Sequence, residues 1–382
     1  ATGTATISNG GGIQTLTTGA GDAGNIALGA TQSIALQGIP GDPFSTLISS
    51  GSLAAPGNAG DITIDAPLGS LTVNDSAVNT QSLAGDLDDG SLGNAGSIAI
   101  SAMTVDFTDS VLSTATNGSG NAGNLTIDGG SDTLAGSVLF NNSAVETSTT
   151  GGGAAGNITL LVSDLTLSGG RMQAKTGADG DAGNILIIAD RLTLRDGAFL
   201  SNASEFSLDA VGNIIASTGG GGDLTIEASE FVTVTGMVGD IRSTISSLNF
   251  DGTGDRTLTI RTPVLTIENG GAIEGSTFGS GDAAVFNIDV QRLTVQNGGF
   301  IATDTSAAID LGNGVVVPTS TGAGGQINIT ATDSVLVAGS DSSLPDGAKI
   351  STSTLGEGTA GGISINSPSI EVRDGAVIAG FT

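Results

Sequence analysis

Residues 57 to 64 read GNAGDITI, and ten further segments repeat the pattern: GDAGNIAL from Gly21, GNAGSIAI from Gly93, GNAGNLTI from Gly120, GAAGNITL from Gly153, GDAGNILI from Gly180, GGGGDLTI from Gly219, GTGDRTLTI from Gly252, GDAAVFNI from Gly281, GAGGQINI from Gly322 and GTAGGISI from Gly358. Marked at Gly24, Gly60, Gly96, Gly123, Gly156, Gly183, Gly222, Gly254, Ala284, Gly325 and Gly361, the copies step by about 34 residues. A fixed step of that size sets the architecture before any residue chemistry is considered, because it belongs to solenoids and propellers.

Inside each copy the apolar residues alternate, as in Ile26/Leu28, Ile62/Ile64, Ile158/Leu160 and Ile363/Ile365. A period of two is a strand with one buried face. A second motif follows: LTVND at 71–75, LTLSG at 165–169, LTLRD at 192–196, LTIEN at 265–269, LTVQN at 293–297 and IEVRD at 370–374. After its Asp/Asn-Gly or Gly-Gly turn comes a third short strand, as in GAFLSNAS, GAIEGST and GGFIATDT. Each repeat therefore reads strand, loop, strand, tight turn, strand, loop.

Three strands per repeat, corners of Gly, Asn and Asp, and no helical period predict an all-β fold, a right-handed parallel β-helix (β-solenoid) of about eleven triangular coils of about 34 residues. Coils stacked at about 4.8 Å would make it about 50 Å long. Branched residues then form buried ladders, and repetition is required because one coil alone leaves its backbone N–H and C=O groups without partners. A propeller is the structural rival. Against it stand the missing aromatics, the absent fourth strand, and repeat lengths that vary while the strands hold. Residues 1–382 read as a single continuous solenoid, with no separate secretion or cap domain.

The polar corner before the first strand is Asn25, Asp61, Ser97, Asn124, Asn157, Asn184, Asp223 and Gln326. Stacked amides can hydrogen-bond along the axis, whereas stacked carboxylates repel. Asn25, Asp61, Asn124, Asn157, Asn184 and Asp223 are thus the candidate structural ladder, read as an amide ladder.

Composition removes several function classes. The chain has 63 glycines, 3% aromatics, no Trp, Tyr, His or Cys, and 38% apolar residues, enough for an aliphatic core. Thirty-eight acids against ten bases give a net charge of −28, which disfavours nucleic acid. No apolar run reaches the length of a membrane span. Without His, Cys or Tyr the usual general bases and nucleophiles are missing, so no catalytic residue and no enzyme is expected. The closest basic cluster, Arg191/Arg195 with Asp190 and Asp196, reads as solvated charge beside a turn. For cofactors the expectation is none, with Ca²⁺ as the one candidate ligand: GDLDDG at 85–90 places Asp86, Asp88 and Asp89 in one Gly-bounded loop. Phe199 and Phe300 are expected to cover the solenoid, and Phe44 and Phe278 to stand exposed on long loops. The 251–260 and 281–288 copies lose the N-A-G element and read as distorted coils or insertion sites.

The pairing of G-[ND]-A-G-[ND]-[IL]-x-[IL] with L-T-[VIL]-x-[DN]-G and a short Ser/Thr-rich strand resembles the repetitive regions of filamentous-haemagglutinin-like exoproteins of the two-partner secretion type, most closely the cyanobacterial branch. The resemblance covers essentially the whole chain, although the family's N-terminal secretion domain is not recognisable. It implies a β-helix on the outside of a Gram-negative cell, serving as adhesin, stalk or filament. The first and last strands are uncapped, which predicts end-to-end self-association or continuation in a longer solenoid, with cell-surface or matrix ligands as further partners. The functional alternatives are a β-helical polysaccharide-acting enzyme and a Ca²⁺-organised surface-layer module.

Overall fold

A computed structural model describes residues 2–83, 92–131, 133–177, 179–205, 207–208, 214–215, 217–250, 256–312, 315–317, 319–339 and 347–381. Among these residues there is no helix. The chain forms two compact units, residues 1–189 and 190–382, and each is a parallel β-solenoid.

In the first unit the long strands Ile26–Gln37, Ile62–Asn74, Ile98–Thr108 and Ile158–Ser168 carry the first and second motifs together. One coil divides this side into Leu125–Asp128 and Ala135–Asn141. Strands pair in parallel with like opposite like: Ile62 faces Ile98, Ile98 faces Leu125, and Leu125 faces Ile158. The second motif stacks in the same way through Leu71, Val105, Val138 and Leu165. The inward side chains Ile62, Ile64, Leu71 and Val73 are fully buried, each contributing about 1.5–3 kcal/mol relative to exposure. Thr63 and Thr72, between them, point outward.

The third strands form a separate sheet: Gly12–Thr17, Thr46–Leu53, Ser76–Leu83, Val111–Thr116, Ala144–Thr149 and Arg171–Thr176. Strand Ile185–Arg195 carries the chain into the second unit. There the long strands are Leu224–Thr235, Thr257–Glu268, Val285–Gln296 and Ile327–Ala338, followed by Ile363–Asn366 and Ile370–Arg373. Its third strands are Phe199–Ser204, Thr244–Leu248, Ala272–Thr277, Phe300–Thr305, Lys349–Thr354 and Val377–Phe381.

The sequence led to a loop between first and second motifs, and the structure differs there. In most coils the two run on as one bent strand. Unequal spacer lengths are absorbed by irregularities in register, as between Ala66 and Ser70 or Glu227 and Phe231. A bulge keeps the ladder on both sides of it, which a loop would not. The predicted tight turn is present. Asp75, Asp109 and Asn142 in the first unit, and Asp196, Asn269, Asn297 and Asp374 in the second, lie at φ between 45° and 59°, the left-handed region that Asn and Asp tolerate best after glycine.

Among the described residues, three antiparallel strand pairs interrupt the second unit: Ser207–Leu208 with Ile214–Ile215, Met237–Val238 with Ile241–Arg242, and Ile309–Gly312 with Val315–Val317. The second and third leave and rejoin the coil at bridging bonds, Ser243 N–H to Gly236 C=O and Ser320 N–H to Ser306 C=O. The parallel stack therefore passes beneath them without losing register.

Candidate functional site: the stacked corner

The repeated G-N-A-G segment belongs to neither sheet, yet it stacks closely from coil to coil. A Cβ on Gly60 would collide with the carbonyl of Gly24 in the preceding coil, one on Gly96 with that of Gly60, and one on Gly156 with that of Gly123. The first glycine of the motif behaves alike, with Gly93 over Gly57 and Gly120 over Gly93. Two glycine columns thus let backbone rest on backbone.

Two acceptor columns run beside them. Asn25 Oδ1 accepts the Asp61 N–H at 2.9 Å, Asp61 Oδ1 the Ser97 N–H at 2.8 Å, Asn124 Oδ1 the Asn157 N–H at 2.9 Å, and Asn157 Oδ1 the Asn184 N–H at 2.8 Å. In the second unit Asp223 Oδ1 accepts from both the N–H and hydroxyl of Thr257 at 2.9 Å. These bonds run from side chain to backbone, not from amide to amide. A carboxylate therefore serves as well as an amide, since only an oxygen is used, and this accounts for the mixture of Asp and Asn.

A second column stands three residues earlier, and the sequence reading missed it. Asp22 Oδ1 accepts the Asn58 N–H, Asn58 Oδ1 the Asn94 N–H, Asn94 Oδ1 the Asn121 N–H, and Asn121 Oδ1 the Ala154 N–H, each at 2.8 Å. At these positions both backbone groups face the preceding coil. The carbonyl of Asn58 takes the Ala23 N–H, while its own N–H meets no carbonyl and needs the side chain below. The doubled [ND] of the motif is the signal that would have found it.

Hydroxyls tie this corner to the third strand. Thr15 Oγ1 donates to the Gly24 carbonyl at 2.6 Å, Thr147 to Gly156 at 2.6 Å and Thr303 to Gly325 at 2.9 Å, and Thr80 and Thr114 reach Gly96 and Gly123. Two residues further on, Thr116 donates to Gly120 at 2.8 Å and Ser204 to Gly219 at 3.0 Å. The Ser/Thr-rich end of the third strand satisfies the carbonyls of the two motif glycines.

One corner is built differently. Leu258 pairs with Leu224 below and Phe286 above, which places Arg256, rather than Gly254, opposite Gly222 and Ala284. Gly254 lies outside the described residues. Arg256 is buried, and its Cδ fills the space beside Gly221. Its Nη2 donates to the carbonyl of Asp282, a second-position carbonyl that in other coils accepts an alanine N–H, as the Asn94 carbonyl does from Ala59. The guanidinium replaces a backbone rung. Burial lowers its pKa to about 10, partly opposed by Asp282. The 281–288 copy, expected to be distorted or an insertion site, keeps its strand in register, with Ala284 and Phe286 fully buried.

Unlike Arg256, the ion-paired Arg191, Arg195, Arg261 and Arg292 lie on the outside of the coils. Arg191 meets Glu230 at 3.4 Å, Arg195 meets Asp196 at 2.8 Å, Arg261 lies between Glu227 at 2.9 Å and Asp289 at 3.6 Å, and Arg292 meets Asp333 at 3.1 Å. Most of these pairs bridge adjacent coils. On the outer face of the second unit, the Arg242 guanidinium and Lys349 ammonium flank the Phe300 ring at 5.2 and 5.1 Å. Beside them burial pushes the Glu274 carboxyl above its ordinary range; Arg242 opposes this, Asp304 adds to it, and Lys349 opposes it. Phe300 with Ala272 and Ala302 makes a small covered apolar cluster.

In the first unit a groove of about 620 Å³ follows the turn column past Asp75, Asp109 and Asn142, between Pro40 and Pro43 at one end and Arg171 at the other. Its polar lining is internally satisfied: Asp75 Oδ1 accepts the Gly41 N–H at 2.8 Å, and Asn142 Nδ2 donates to Asp109 Oδ1 at 2.6 Å. Phe44 is exposed. Phe278 is half-buried and donates its N–H to the Asn249 carbonyl at 2.9 Å, forming a rung of the stack. Phe107 and Phe140 lie inside, with ring centroids 5.6 Å apart and planes tilted by 36°. Asp86, Asp88 and Asp89 lie outside the described residues. Among the described residues no group of three or more His, Cys, Asp or Glu is placed to hold a metal ion. Comparison with protein-family models, with curated proteins and with solved structures gives no match.

Proposed function

We propose that the chain is an extracellular structural and adhesive β-solenoid, part of a stalk, surface fibre or filament of the filamentous-haemagglutinin-like kind. The observation that carries this reading is the doubled acceptor column with its glycine stack. Among the described residues most coils offer the next the same kinds of acceptor and close backbone contact, so length is gained by repetition. Negative-stain electron microscopy of the purified protein, with and without chelator, tests this. Thin filaments that survive chelation are expected. Order lost in chelator would favour the Ca²⁺-organised module, and monodisperse, non-associating particles at all concentrations would overturn the filament.

A second reading, a saccharide-handling β-helix, is favoured by the groove over Asp75 and Asp109. Release of new reducing ends from an acidic polysaccharide, abolished by Asp109→Asn, would establish it in place of the structural role.

A further inference from the structure

We propose that the interior corner at Arg256 binds one small monovalent anion, of the size of chloride. Arg256 is 3% exposed, and only its Nη2 is engaged, by the Asp282 carbonyl that Asn249 Nδ2 also approaches at 3.3 Å. Its Nε and Nη1 have no hydrogen-bond partner. Among the described residues no carboxylate pairs with it. Asp282, the acid whose charge raises the Arg256 pKa, has its Oδ1 on the Ala323 N–H at 2.7 Å.

A buried, unpaired cation with unused donors is among the costliest groups a fold can carry. An orphaned donor of this kind marks a place for a bound ion or water. Charge selects the ion, because water leaves the guanidinium uncompensated.

A second orphan stands at the same corner. Ser247 lies nine residues before Arg256, the spacing at which Thr114 and Thr147 reach Gly123 and Gly156. Here the carbonyl of residue 256 already accepts the Val285 N–H at 2.9 Å, and the fully buried Ser247 hydroxyl is without a partner. Guanidinium N–H groups and one hydroxyl form a donor set for a halide. Asn202, opposite Ser247 in the adjacent strand, has an orphaned Oδ1, an acceptor for a water in the anion's shell. Coils stacked at about 4.8 Å leave no room for sulfate or phosphate.

The test compares the parent with Arg256→Gly, which restores the glycine of the other corners, in buffers where chloride replaces gluconate at constant ionic strength. The parent's Tm should rise with chloride to a plateau, by about 2–4 °C, and the variant's should not. Crystals of the parent soaked in bromide should give an anomalous peak within hydrogen-bonding distance of Arg256 and Ser247. A parent whose melting ignores chloride, or a bromide-soaked crystal with water alone at that corner, overturns the proposal. The bromide result decides it even if Arg256→Gly fails to fold.

Discussion

The Oδ1 of Asn124 accepts the backbone N–H of Asn157 in the next coil at 2.9 Å, so the side chain does a backbone carbonyl's work. Because the bond needs an acceptor and no charge, Asn124→Asp should melt close to the parent. Its column neighbours, Ser97 and Asn157, are not acids. Asn124→Ala leaves the Asn157 N–H without its partner and should cost about 1 kcal/mol, read as a lower thermal midpoint. Equal losses in both variants would mean that amide-specific contacts hold the column.

Gly156 and Gly152 are four residues apart and should respond oppositely to alanine. A Cβ on Gly156 strikes the Gly123 carbonyl, which is held in the stack, whereas one on Gly152 meets nothing within 4 Å. Gly156→Ala should destabilise by about 1–3 kcal/mol through overpacking. Gly152→Ala should stay within about 0.5 kcal/mol or gain slightly from a stiffer unfolded chain. Chemical denaturation of the two variants measures the difference.

The sheets were legible because inward residues are aliphatic and outward ones polar, as in Ile62-Thr63-Ile64, and period two has one structural meaning. The tight turns were legible because Asp75 and Asn297 each mark a left-handed residue in the second motif. The corner was read only in part. Asn25 and Asp61 were visible as a column, but which group each oxygen accepts depends on the direction of a backbone N–H, and no residue type records that. Arg256 was missed because counting letters in GTGDRTLTI put the register at Gly254; only pairing of Leu258 with Leu224 places the arginine at the corner. The hairpins of the second unit were illegible, since their short strands lack a periodic pattern long enough to distinguish them from loops.

Gly275 and Phe286 form a compensating pair. Gly275 stands where most third strands carry Ser or Thr, and a Cβ there would lie 2.7 Å from the Phe286 ring, which occupies the space. Gly275→Thr alone should cost about 1–3 kcal/mol by overpacking. Phe286→Leu alone opens a void and should destabilise as well. The double variant restores the usual arrangement, with a hydroxyl nine residues before Ala284, and should recover at least about 1 kcal/mol of the summed losses. Strict additivity in the double-mutant cycle would show that the two side chains do not share the space.

Glu274 ties stability to pH in a direction opposite to an ordinary salt-bridged acid. Burial raises its folded-state pKa above the usual 4.5, with Asp304 adding to the effect and Arg242 and Lys349 opposing it. The folded protein therefore holds this proton more tightly than the unfolded chain. Its contribution is fully present below about pH 4.5 and is lost as pH rises through the higher folded-state value. Glu274→Gln keeps the shape and removes the charge, so the variant should gain on the parent as pH rises. The difference in Tm, variant minus parent, should be small at pH 4 and larger and positive at pH 7. Comparing variant with parent cancels the general effect of titrating a chain with 38 acids. A difference that is the same at both pH values would mean that Glu274 is solvated in the folded protein and that the cover over Phe300 does not exclude water.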